Sequence, residues 1–195
     1  MPTDFSRVRL NPLLDYAGVQ LKQGGVLLDA DANELVDIVD RRLRALASDV
    51  LGRSRVSSTT VDAFKISVAG AALTIGKGRL YVDGMLAENH GAKLSDPAKR
   101  IFDDLMAEPQ FVDAIPYTAQ PYLPNPPALP TAGRHLVYLE VWDRELTYLE
   151  QPDLVEIAVG VDATSRRQTA WQVRVAPIDA GANAACDSPD QDIPG

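Results

Sequence analysis

The chain has 195 residues, with 19 Lys+Arg against 27 Asp+Glu and a formal net charge of −8, a length that suits one domain or two small ones. Hydrophobic residues make up 46% and charged residues 24%, ordinary globular usage that supplies a core and excludes wholesale disorder. The acidic balance repels phosphate, so no nucleic acid is expected as a partner, and the single cysteine, Cys186, excludes an intramolecular disulfide and a cysteine-cluster zinc site.

No apolar run approaches the roughly 18 residues that span a bilayer, so no membrane insertion is expected. Met1-Pro2-Thr3-Asp4 lacks the charged start and apolar core of a signal peptide. Cytoplasmic synthesis follows as the expectation.

Residues 1–16 read as an arm with Pro12 and scattered apolar side chains. Val19 and Leu21 then alternate with Gln20 and Lys22, Gln23-Gly24-Gly25 supplies turn residues, and Val26-Leu27-Leu28 follows, which predicts a short hairpin. A helix is predicted over 31–51, with Asp31 as its N-cap and Glu34 completing a capping-box pattern. Leu35, Val39, Leu43, Leu46 and Val50, at spacings of 4, 4, 3 and 4, form one apolar stripe. Gly52 stands where a terminating residue is wanted, and Arg41, Arg42 and Arg44 follow the acidic first turns, as the helix dipole favours.

Residues 63–89 change to a period of two. Phe64, Ile66 and Val68 alternate, Gly70 breaks the run, Leu73 and Ile75 resume it, and Gly76-Lys77-Gly78 and Asp83-Gly84 turn the chain into two further strands. This predicts an antiparallel meander. Pro97 is expected to open a short helix over about residues 97–107. Seven of the fourteen prolines then fall between Pro109 and Pro130, beside Tyr117, Tyr122 and Leu123, which predicts an extended surface excursion. The β pattern returns at His135 with Val137, Leu139 and Val141, runs through Leu146 to Leu149 and Leu154 to Val159, and closes over Thr169 to Val175. Residues 179–195 hold Asp179, Asp187, Asp190 and Asp192 without Lys or Arg and read as a flexible acidic tail or linker.

The fold expected is α+β: an antiparallel meander packed by one long N-terminal helix, in a domain over 17–178 with a Pro-rich insertion at 90–134.

Each motif with chemical potential has a plainer structural reading. Asp29, Asp31 and Asn33 resemble the start of a calcium loop, but Glu34 replaces the required glycine and Asp40 the final bidentate Glu, so capping is preferred. Glu140, Asp143, Glu145 and Glu150 beside Tyr138, Trp142 and Tyr148 admit a glycosidase reading, against which Asp143-Arg144-Glu145 reads as a turn or paired surface segment. Gly76-Lys77-Gly78 lacks the spacing of a phosphate loop. His90 and His135 have no nucleophile in a recognisable setting. No catalytic residue and no cofactor is expected.

Asp4-Phe5-Ser6-Arg7, then Gln23-Gly24 leading into Leu28-Asp29-Ala30-Asp31-Ala32-Asn33-Glu34, resembles the opening of uncharacterised N-terminal domains of phage-tail and contractile-injection-system proteins. Gly78 to Asn89 is similar to a second block of that family, and Tyr138 to Glu145, Glu150 to Leu154 and Arg166 to Val173 to a third. The resemblance runs in order over most of residues 4–175. Ala32 departs from it where an aromatic is expected, and the stretch from Pro109 to Pro130 is longer than usual.

The resemblance implies a structural virion component at the baseplate periphery or a tail-fibre attachment domain. Its expected partners are neighbouring baseplate or tail subunits and further copies of itself, met after cytoplasmic assembly. Phe5, Arg7, Arg41, Arg42, Arg44, Tyr117 and Tyr122 are the expected contact residues. The alternative is a glycan-binding module that stacks sugars on Tyr138 and Trp142.

Overall fold

The computed structural model of the chain describes residues 7–91 and 113–178. The helix α1 spans Asp29–Leu51, and ten strands follow among the described residues. They are β1 (Ser54–Val56), β2 (Ile66–Ala69), β3 (Ala72–Ile75), β4 (Gly78–Val82), β5 (Met85–Asn89), β6 (Ile115–Pro116), β7 (His135–Leu146), β8 (Val155–Glu156), β9 (Val161–Asp162) and β10 (Arg166–Pro177). The class is α+β, and the N-terminal helix packs with strands. The strands form four sheets of order β1-β4-β5, β2-β3-β6, β10-β7 and β8-β9, so the meander expected over 63–89 is divided between the first two. The expected 97–107 helix, the tail and Phe5 lie outside the described residues.

The predicted hairpin at 19–28 does not form. The turn is present, with the Gly25 N–H donating to the Lys22 carbonyl at 3.0 Å, but its flanks are not strands and Leu21, Val26 and Leu27 are exposed. A two-stranded hairpin without a third strand or a packing face is marginal in water. Further along, Leu154 to Val159 is not one strand: β8 and β9 pair across a turn at residues 157–160. Asp143-Arg144-Glu145 lies inside β7 and is no turn.

The helix begins at Asp29, two residues before the expected start, and Leu28 occupies the N-cap position with no side-chain hydrogen bond. Asp31 is therefore not the cap; its carboxylate pairs with Arg9. Asp29 and Asp31 still lie in the first turn, where negative charge suits the dipole. At the other end Gly52 has φ 77° and its N–H donates to the Ser48 carbonyl at 2.9 Å.

The stripe on α1 faces the opposite way from expectation. Ala30, Glu34 and Ile38 are buried, whereas Leu35, Val39, Leu43, Leu46 and Val50 are all exposed. Ala30, Glu34 and Ile38 occupy the inner face, and ion pairs together with a close backbone approach hold the helix in that rotation. At Gly84, φ is 78° and an added Cβ would stand 2.4 Å from the Arg44 carbonyl oxygen. With Asp83 at φ 45°, this two-residue turn joins β4 to β5 in the conformation that tight hairpins favour.

The described chain falls into two compact units: residues 7–55, 81–86 and 143–169 form the first, and 56–80, 87–91, 113–142 and 170–178 the second. The second holds the apolar core, in which Trp171, Ile75, Ala87 and Val173 are almost fully buried. Phe64 stacks edge-on against Trp171 with ring centroids 4.9 Å apart. Phe64 was expected in a strand, but it sits at φ 56° and its N–H bonds the Gly76 carbonyl at 2.9 Å.

The described part of the Pro-rich stretch is not a surface excursion. β6 adds to β3 in antiparallel register, Ile75 opposite Ile115 and Thr74 opposite Pro116, and a missing N–H is tolerated at the edge of a sheet. Tyr117 is buried in the core, and Tyr122 packs edge-on against Trp171 at 6.2 Å. The buried amide of Gln120 donates to the Tyr117 and Val173 carbonyls, both at 3.0 Å, and accepts the Val173 N–H at 2.6 Å. One side chain thus supplies the pairing that a neighbouring strand would give β10 at Val173.

Candidate docking surface

Within the first unit, α1 is held by charge. The Arg44 Nη2 donates to Asp143 Oδ2 at 2.5 Å, and its Nε lies 2.8 Å from Asp40 Oδ2. Asp143 also accepts the Thr169 hydroxyl at 2.9 Å. Arg167 lies 3.4 Å from both Asp37 and Asp40. Helix residues 37, 40 and 44 recur every three or four positions and so share one face. This periodicity orients α1 more strongly than its apolar stripe does.

Burial penalises the charged forms of both Asp143 and Arg44, but their mutual hydrogen bond and attraction win. With Thr169 and Arg167 also contributing, Asp143 is held below the ordinary carboxylate range, and with Asp40 contributing, Arg44 is held above the ordinary guanidinium value. A depressed carboxylate stabilises the fold fully above its unfolded pKa of about 3.9 and loses that contribution as pH falls through the lower folded value. Asp143→Asn should therefore cost the first unit about 1–2 kcal/mol at pH 7 and almost nothing once pH lies below the folded value. Urea unfolding at pH 7 and in acid checks this; an equal penalty at both pH values would contradict it.

An open cleft of about 510 Å³ lies in the same unit among Arg7, Arg9, Asp37, Asp143, Arg144 and Arg167. Its charges are largely matched: Arg9 with Asp31, Arg167 with Asp37, and Arg144 with the Gln168 amide oxygen at 2.8 Å. No histidine or cysteine lines it. Of the carboxylates that line it, Asp37 and Asp143 are engaged by the guanidiniums of Arg167 and Arg44.

The residues singled out by the sequence separate accordingly. Arg7, Arg41 and Arg42 are exposed. Arg44 is not an outward contact, since Asp40 and Asp143 occupy its guanidinium. Tyr117 is not a partner contact either: it is 3% exposed, and burial pushes its phenol pKa up. Tyr122 is half-buried and packs against the core of the second unit.

Asp29, Asp31 and Asn33 lie on α1, where residues two apart point about 200° from one another. Their oxygens do not converge as a calcium loop requires. Among the described residues no group of three or more His, Cys, Asp or Glu is placed to hold a metal ion. Tyr138, Glu140 and Trp142 alternate on β7 and share one face, all half-buried. Glu140 accepts a hydrogen bond from Gln172 and lies 3.6 Å from Arg174. Glu150 instead closes the turn after β7, accepting the Thr147 N–H at 3.0 Å and hydroxyl at 2.7 Å, and those bonds lower its pKa.

The stripe has one further member, Val36, beyond those its sequence spacing from Leu35 picks out. Val36 is exposed, and with Val39, Leu43, Leu46 and Val50 it gives spacings of 3, 4, 3 and 4, the signature of a coiled-coil seam. Leu35 beside it had concealed that pattern.

The chain belongs to a family of unknown function, DUF6519, whose model matches residues 1–190. No match is found among curated proteins or among solved structures. No helix among the described residues is long and apolar enough to cross a membrane.

Proposed function

We propose that the chain is a structural component of a phage tail or contractile injection particle, at the baseplate periphery or as a tail-fibre attachment domain, acting by docking and without catalysis or a cofactor. The observation that carries this reading is the outward apolar stripe of α1, preceded in the chain by exposed Leu21, Val26, Leu27 and Leu28. Monomeric soluble proteins rarely leave a contiguous apolar surface of that kind uncovered. The resemblance of most of residues 4–175 to tail and injection-system domains supports this kind of assembly. Exposed Arg7, Arg41 and Arg42 suit an acidic neighbour in the particle.

The test is incorporation. A tagged full chain produced in a particle-forming host should co-purify with intact particles, and deletion of residues 1–16 should abolish incorporation while leaving the rest folded. Normal incorporation of the shortened chain would remove the arm from the docking surface, and absence of the full chain from particles would remove the particle. A glycan array separates the alternative: sugar binding lost on Trp142→Ala would favour a platform built on Tyr138 and Trp142.

A further inference from the structure

We infer that the outward stripe of α1 pairs with the same stripe of a second copy of this chain, antiparallel and in one register. The inference rests on the docking reading and names the occupant of that surface. The seam consists of Val36, Val39, Leu43, Leu46 and Val50, with exposures of 58, 47, 59, 59 and 72%. Alternating steps of three and four keep five apolar side chains on one narrow line, the geometry by which knobs of one helix enter holes of another. An isolated two-heptad helix would be marginal. Here the helix is already held by Arg44, Asp143, Arg167 and Asp37, so pairing does not have to form it.

Charge selects the arrangement. In heptad terms Val36, Leu43 and Val50 occupy a positions and Val39 and Leu46 occupy d positions, which puts Arg42 and Asp49 at successive g positions on one flank, both exposed and about 10.5 Å apart along the axis. Antiparallel helices place g beside g of the partner. When Leu43 meets Leu46 of the second copy and Val39 meets its Val50, four apolar layers form around a twofold axis and Arg42 of each chain faces Asp49 of the other.

A shift of one heptad in either direction places Arg42 against Arg42 or Asp49 against Asp49. Parallel pairing in register sets Arg42 beside Ala47, with no charge partner. Only the one antiparallel register is complementary in both shape and charge, and a twofold interface requires such self-complementarity.

Sedimentation velocity of the full chain over a range of concentrations tests this. The parent should show a concentration-dependent shift from one chain to two. Leu43→Glu should leave a folded monomer. Arg42→Asp should weaken the dimer about tenfold, since two ion pairs become two repulsions, and adding Asp49→Arg to it should restore affinity to within about threefold.

A parent that stays monomeric at every concentration overturns the inference, and so does a dimer indifferent to Leu43→Glu. A dimer that Leu43→Glu breaks but that Arg42→Asp leaves unweakened, or that adding Asp49→Arg to Arg42→Asp does not restore, overturns the antiparallel register. The docking reading fails separately: a monomeric chain that still enters particles overturns self-pairing alone, and a dimer absent from particles overturns the particle alone.

Discussion

Trp171→Ala is expected to lower the unfolding free energy of the second unit by about 3–5 kcal/mol, the range for removing a large buried aromatic. Trp171 is 1% exposed, the largest of the fully buried side chains among the described residues, and Phe64 and Tyr122 both meet it edge-on at interplanar angles of 85°. Its truncation leaves a cavity at the point where β10, the Phe64 turn and the Pro-rich segment converge. Its Nε1 also donates to the Glu88 carbonyl at 2.7 Å. Trp171→Phe keeps much of the packing but loses that bond, and should cost less, about 1–3 kcal/mol. Denaturant midpoints of both variants check the order; equal losses, or a loss under about 1 kcal/mol for the alanine variant, would mean that this side chain does not organise the core.

Gln120→Ala is expected to cost about 2–4 kcal/mol through unmet polar groups, with little contribution from volume. The amide serves the Val173 N–H and carbonyl and the Tyr117 carbonyl, and each buried group left without a partner costs about 1–3 kcal/mol. Gln120→Met, close in volume, should recover little of the loss. Recovery by methionine to within about 0.5 kcal/mol of the parent would show that packing, not hydrogen bonding, is what this position supplies. Native-state amide exchange gives a second readout, because the Val173 N–H should lose protection first.

The α+β class, the helix and the strands from Ile66 to Asn89 were legible from local pattern, since period and turn chemistry report on neighbours in sequence. The Asp83-Gly84 turn is the clearest case: the pair predicts positive φ at both residues, and both have it. The direction in which α1 faces was not legible by the same means. Amphipathicity locates a stripe but does not say whether the stripe meets this chain's own sheet or another molecule, and long-range pairs such as Arg44 with Asp143 decide the matter here.

The Pro-rich stretch misled for a related reason. Proline density excludes helix and central strand, but it says nothing about burial, and an edge position in the sheet accommodates Pro116. Tyr117, an expected contact residue set among prolines, fills the core with its ring instead. Of the proposed docking surface, Arg7, Arg41 and Arg42 and most of the stripe could be named from sequence. That the stripe faces away from this chain's own strands required the fold.

The central claim is that the most regular apolar stripe in this chain is not part of its own core. Chemical denaturation of Leu43→Glu/Leu46→Glu, at a concentration where the parent sediments as a single chain, tests it most directly. Substitutions at exposed positions change stability little, so the variant should unfold within about 1 kcal/mol of the parent while losing capture by particles. A loss of several kcal/mol, the size seen when charge enters a packed interior, would place the stripe inside and contradict the account.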